Sequence, residues 1–164
     1  MTVFLLGSQA ARLTGCLPAW RKGRTGDADL VVGAADANTL LDRLAATAVA
    51  VRRFEAFPDR TYVLTAERLL IDVQTSDHYA DLLAALPDNQ PLSFLGFDVL
   101  AISMTTQLVI KRAYADLPIH REKNDRDIAH WDALVSPLDI TPAHDAVAAH
   151  VRFSASVLPL LKGK

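Results

Sequence analysis

The chain alternates short apolar runs with polar breaks, and the spacing of those runs changes along its length. Val3 to Leu6 is a continuous apolar run closed by Gly7-Ser8, which predicts a buried strand ending in a tight turn. From Gln9 to Gly26 a helical turn gives way to an irregular stretch broken by Gly15, Pro18, Gly23 and Gly26, with the cations Arg21, Lys22 and Arg24 close together. Leu30-Val31-Val32 predicts a second buried strand, preceded by Asp27 and Asp29. Leu40, Leu41, Leu44 and Ala45 recur at helical spacing, with Asp36 or Asn38 available as the cap. Val49 to Phe54 predicts a strand and Pro58-Asp59 a turn. Tyr62–Leu64 and Leu69–Val73 then predict a hairpin around Ala66-Glu67-Arg68. Ser76 or Asp77 caps a helix through Tyr79, Leu82, Leu83 and Leu86 that Pro87 stops, and a polar loop leads to a short extended segment at Val99–Ile102.

The remainder carries a helical period. One helix holds Leu108, Val109, Lys111, Arg112 and Tyr114 and ends near Pro118, and a second covers His120 to about Leu134. A third begins after Thr141-Pro142, where a capping residue precedes a proline in the first helical position. The expected fold class is α+β, a small mixed sheet with flanking helices. The expected organisation is one domain over residues 1–164, with an α/β core to 103 and a helical tail over 104–164 packed on it. At 164 residues two independent cores would be a stretch.

Composition changes this picture little. About half of the residues, 51%, are hydrophobic and 22% are charged, a globular balance. A net charge of −2 gives no general attraction to nucleic acid or anionic membranes, so a polyanionic ligand has to be held by local cations. The single cysteine, Cys16, excludes an internal disulfide and a cysteine-based zinc site. The run after Thr2 lacks a basic flank and is cut short by Gly7-Ser8-Gln9, so no signal peptide is expected. No segment reaches the roughly 20 apolar residues that span a bilayer. A cytoplasmic protein with no membrane partner is the expectation.

The informative chemistry is acidic. Side chains alternate along a strand, so Asp27 and Asp29 point the same way while Ala28 points oppositely. Two hard oxygen ligands on one edge suit magnesium, which takes a few carboxylates together with substrate phosphate oxygens. Asp72 lies between apolar neighbours, Leu70, Ile71 and Val73, where a carboxylate is costly unless a cation or partner compensates it. The same residues admit a plainer reading. Asp27 and Asp29 can cap a turn, and Asp72 can face water from a half-buried strand. At Gly7-Ser8, glycine allows close approach to a phosphate, and the serine hydroxyl and turn amides can donate to its oxygens.

A strand, a Gly-Ser turn, a short helix, Asp-x-Asp leading into the next strand and a later Asp in a strand together resemble the nucleotidyltransferase superfamily, the DNA polymerase β-like fold. The residues that carry the resemblance are Phe4-Leu5-Leu6-Gly7-Ser8, Gly26-Asp27-Ala28-Asp29-Leu30-Val31-Val32 and Leu70-Ile71-Asp72-Val73. The stretch between Gly7-Ser8 and Asp27 is longer than in compact members, which reads as an insertion around Cys16 to Arg24. The resemblance implies metal-dependent transfer of an NMP from a nucleoside triphosphate to a hydroxyl acceptor. It implies two Mg2+ ions held by Asp27, Asp29 and Asp72, the catalytic carboxylates, with the phosphates over Gly7 and Ser8 and with Arg24 beside them. In the second half, Lys111 and the His120–Ile128 segment look similar to minimal and phage-like members. By that likeness Lys111 and Lys123 hold the triphosphate, and His120 and Asp127 orient or brace them. The plainer alternative is a solvated helix face with pairs such as Lys123 and Asp127 at i,i+4.

His78, His130, His144 and His150 show no metal spacing, and Trp131 is expected in the core. No Walker loop, Rossmann fingerprint or nucleophile elbow is present. Two rival expectations stay open: a catalytically inactive module of the same fold that binds or regulates, and a structural protein whose aspartates only cap turns. The acceptor, whether protein, RNA end or small molecule, is not specified by the sequence.

Overall fold

A computed structural model describes residues 1–21, 27–55, 57–115, 117 and 122–161, with backbone alone for 123 and 156–161. The chain divides into two compact units, Met1–Ile102 and Ser103–Lys164. Among the described residues it is an α+β protein with seven strands and six α-helices.

The first unit runs β1 (Val3–Leu6), α1 (Gly7–Leu13), β2 (Ala28–Val32), α2 (Ala34–Ala45), β3 (Ala48–Phe54), β4 (Phe57–Thr65), β5 (Leu70–Thr75), α3 (Asp77–Ala84), β6 (Gln90–Phe94) and β7 (Phe97–Ala101). The strands form one mixed sheet in the order β3-β4-β5-β2-β1-β7-β6. β2 runs parallel to β5 and β1 parallel to β7, while the other neighbours are antiparallel. One sheet face is sealed. Ala28, Leu30 and Val32 of β2, Ile71 and Val73 of β5, Val63 of β4 and Leu5 of β1 are all at most 1% exposed. α1, α2 and α3 pack against the sheet.

Local chemistry departs from the sequence expectation at three places. α2 is preceded by Gly33, and neither Asp36 nor Asn38 caps it; Asp77 of α3 accepts a hydrogen bond from the Ala34 amide at 2.7 Å instead. Asp36 is occupied elsewhere, accepting from the Thr2 amide at 3.0 Å. The start of α3 follows the expectation, with Ser76 capping and accepting from the Tyr79 amide at 3.1 Å. Pro58 and Asp59 are not a turn but part of β4. They fall in the irregularity between Arg53 and Phe54 of β3, where the ladder does not require the missing proline N–H. The polar stretch before β7 contains the unforeseen edge strand β6, which carries Pro91 in regular register with Leu100, as an edge strand can. Its hairpin turns through Leu95 and Gly96, both at positive φ, 51° and 79°. This is the backbone that a two-residue hairpin demands, but leucine replaces the usual asparagine or aspartate and so hides the signal.

The second unit is helical: α4 (Met104–Tyr114), α5 (Lys123–Asp132) and α6 (Pro142–Leu161). α4 contacts both α5 and α6. Leu108, Trp131, His144 and Val147 are each at most 1% exposed, which places Trp131 and His144 in the core. His144 Nδ1 meets the Thr141 amide at 3.1 Å and the Thr141 hydroxyl at 2.9 Å, closing the start of α6.

Candidate metal-binding site

Registration across four strands builds a polar row on the face opposite Leu30 and Ile71. Asp29 of β2 is the direct partner of Asp72 on β5, Asp72 is opposite Tyr62 on β4, and Tyr62 is opposite Arg52 on β3. Cross-strand partners project to the same side, with neighbouring strands about 4.8 Å apart. The next row holds Val31, Gln74 and Arg60. Two carboxylates thus stand side by side, Asp72 buried and Asp29 half-buried. Like charges in that position repel, and a cation relieves them.

Asp29 is placed by glycine. Gly7 follows β1 with φ +68°, and a Cβ added there would lie 2.3 Å from Asp29 Oδ2. The space that a side chain would fill is therefore taken by the Asp29 carboxylate. Sequence reasoning assigned that glycine to phosphate approach, and its first use in the fold is to admit Asp29.

Asp72 is 9% exposed. Arg60 Nη1 donates to its Oδ2 at 2.5 Å, and Arg60 Nη2 donates to Gln74 Oε1 at 3.4 Å. Asp72 Oδ1 is buried and finds no hydrogen-bond partner among the described residues. Burial pushes the Asp72 carboxyl above its ordinary value; Arg60 opposes this as the nearest positive charge, and Tyr62 opposes it by hydrogen bonding. Burial likewise pushes the Tyr62 phenol up, with the Asp72 charge acting in the same direction.

Asp27 immediately precedes β2 and is exposed. Among the described residues no group of three or more His, Cys, Asp or Glu side chains is arranged to hold a metal ion. The sheet supplies the pair Asp29 and Asp72, and one or two carboxylates plus phosphate oxygens are what magnesium usually takes from a protein. The unsatisfied Oδ1 of Asp72, beside a second carboxylate in register, fits a divalent cation.

Gly7 and Ser8 open α1 directly after β1. Arg24 and His120 lie outside the described residues, as does the side chain of Lys123, whose backbone begins α5. Lys111 projects from α4 to α5. Its Nζ lies 3.1 Å from Asp127 Oδ2, donates to Asn124 Oδ1 at 3.0 Å and sits 5.8 Å from the centre of the Trp131 ring. Asp127 is wholly buried. Lys111 on the neighbouring helix is thus one of its partners, and the pair braces α4 against α5. Arg112 pairs with Asp132 on a more exposed face. The residues that sequence reasoning missed are Arg60, Tyr62 and Gln74, which surround Asp72 on the polar rows.

Among the described residues no helix is long and apolar enough to cross a membrane. No family model matches the chain, and no curated protein matches it.

Proposed function

We infer that the chain is a metal-dependent nucleotidyltransferase of the polymerase β-like fold, moving an NMP from a nucleoside triphosphate to a hydroxyl acceptor. The observation that carries this reading is the in-register pair Asp29 and Asp72, one carboxylate lodged against Gly7 and the other presenting a buried, unsatisfied oxygen. Asp29 and Asp72 would hold Mg2+, with Asp27 at the exposed margin. Bound there, the ion would neutralise phosphate charge and make the acceptor hydroxyl more acidic. Asp29 and Asp72 would orient the triphosphate by way of that ion, with the acceptor hydroxyl activated near Asp72. The bond from the acceptor oxygen to the α-phosphorus would form as the bond to pyrophosphate breaks, the hydroxyl proton passing to solvent. Arg24 is the cation that the resemblance assigns to the phosphates, while Lys111 fixes α4 on α5 within the helical unit.

The test is pyrophosphate release from each of the four NTPs with Mg2+, comparing the native protein with Asp29→Asn and Asp72→Asn. Release by the native protein and its loss in both variants, with melting temperatures retained, is the expected outcome. Full activity in either variant refutes the assignment.

A second reading, a binding or regulatory module without catalysis, is favoured by one observation. The cations beside the acidic residues, Arg60 and Lys111, already form close ion pairs with Asp72 and Asp127. Tight NTP binding without pyrophosphate release selects it.

A further inference from the structure

We propose that Arg60 is the positioning residue of the metal site, dividing the two oxygens of Asp72 between a fixed protein contact and the ion. The proposal rests on the reading of Asp29 and Asp72 as metal ligands. Arg60 and Asp72 sit diagonally across the β4–β5 ladder, since Arg60 is the direct partner of Gln74 and Tyr62 that of Asp72. From there the guanidinium takes one oxygen only: Nη1 reaches Oδ2 at 2.5 Å, while Nη2 turns to Gln74 at 3.4 Å. A guanidinium facing a carboxylate commonly binds both oxygens in a fork. Here the second arm is spent on Gln74, and Oδ1 is left buried with no hydrogen-bond partner among the described residues. An unsatisfied buried carboxylate oxygen is costly in a folded protein, and its persistence beside Asp29 marks it as the atom kept for a cation.

The arrangement has the form of an outer shell around a metal ligand. The carboxylate is held by a hydrogen bond to Oδ2, which would leave Oδ1 for the ion. Gln74 extends the chain one step, holding the guanidinium that holds the carboxylate. Arg60 is 28% exposed at its side chain against 12% for Asp72, so the pair is anchored at the buried end and reaches water at the other.

The sign of one substitution separates positioning from a simple charge effect. Arg60 brings a positive charge close to the proposed cation. If charge were its only influence, removing it would tighten metal binding. If it aims Asp72, removing it weakens binding, and outer-shell substitutions of this kind cost about 10–100-fold in metal affinity. The experiment titrates Mn2+ alone into the full chain and follows free Mn2+ by electron paramagnetic resonance, for the native protein, Arg60→Gln, Arg60→Lys and Asp72→Asn, with melting temperatures recorded for each. The expected result is a native affinity that drops about 10–100-fold in Arg60→Gln, recovers in part in Arg60→Lys and is lost in Asp72→Asn. Binding in Arg60→Gln as tight as native or tighter, with Asp72→Asn still defective, overturns the positioning role and leaves the metal reading standing. Native protein that binds no Mn2+, or Asp72→Asn that binds it like the native protein, overturns both. Should Arg60→Gln fail to fold, the Gln74→Leu variant, which frees the second arm of the guanidinium, carries the same test. Weakened Mn2+ binding supports the proposal, and unchanged binding overturns it.

Discussion

Substituting alanine for Gly7 has two separable costs. The first belongs to the backbone: at φ +68° an L-residue with a Cβ is strained by about 1–2 kcal/mol. The second belongs to Asp29, because the new methyl would stand 2.3 Å from Oδ2 and 3.4 Å from Cγ, and the carboxylate has to leave its place. The first persists when Asp29 is replaced by alanine; the second disappears. A double-mutant cycle on Gly7→Ala and Asp29→Ala therefore isolates the contact, with an expected coupling of about 0.5–3 kcal/mol, the range for residues in direct contact. In the Asp29→Ala background the glycine substitution should lower the melting temperature by only about 2–8 °C, from roughly 2–4 °C per kcal/mol for a chain of this size. In the native background the loss should be larger. Urea denaturation followed by circular dichroism measures all four corners, with coincidence of two probes checked at each. Equal costs in both backgrounds would falsify the assignment of the glycine to Asp29.

Asp72 makes a prediction about pH. Its carboxyl is raised by burial, so between the unfolded value of about 3.9 and the raised native value the native state binds more protons than the unfolded chain. Its contribution to stability then falls as pH rises through that window, and in Asp72→Asn this component is absent; melting curves in metal-free buffer across the window, with parallel slopes for both proteins, would sink the claim. Breaking the buried pair with Asp127→Ala strands the Lys111 ammonium and should cost about 3–5 kcal/mol, while the paired replacement Lys111→Met with Asp127→Leu should recover most of it. Thermal denaturation decides, and a single variant as stable as the native protein refutes the bracing role.

Much of the first unit was legible because its strands are short apolar runs bounded by turn residues. The order β1, β2, β4, β5 and the placement of Asp72 inside a strand all followed from period and punctuation. β6 was not legible, since an edge strand can carry proline and polar residues, and its hairpin turns through leucine instead of a residue suited to positive φ. The neighbours of Asp72 were hidden for a different reason. Arg60 lies in the polar run Asp59-Arg60-Thr61, and Tyr62 and Gln74 sit at strand positions like those of any half-exposed face. Only the pairing of β4 with β5 shows that this face points at a buried carboxylate. The i,i+4 pair of Lys123 with Asp127 lies outside the described residues, since the Lys123 side chain is not among them. The contact of Asp127 with Lys111 depends on how α4 packs on α5, which no local pattern encodes.

The pairing of β2 with β5 carries more than shape. These strands are parallel and joined through α2, β3 and β4, so no tight turn sets their alignment. A slip of one residue would send Asp72 into the sealed interior and bring Ile71 and Val73 out, a change the hydrophobic layer does not tolerate. A slip of two keeps every side chain on its proper face and leaves the core intact, yet it sets Asp29 beside Leu70 or Gln74. Against that second error hydrophobicity offers no protection. The match between the two carboxylates has to be proofread by polar contacts between those strands themselves. The Arg60 to Asp72 link fixes β5 only against β4, whereas the Asp77 carboxylate just after β5, accepting from the Ala34 amide just after β2 at 2.7 Å, is in a position to act as the registration mark.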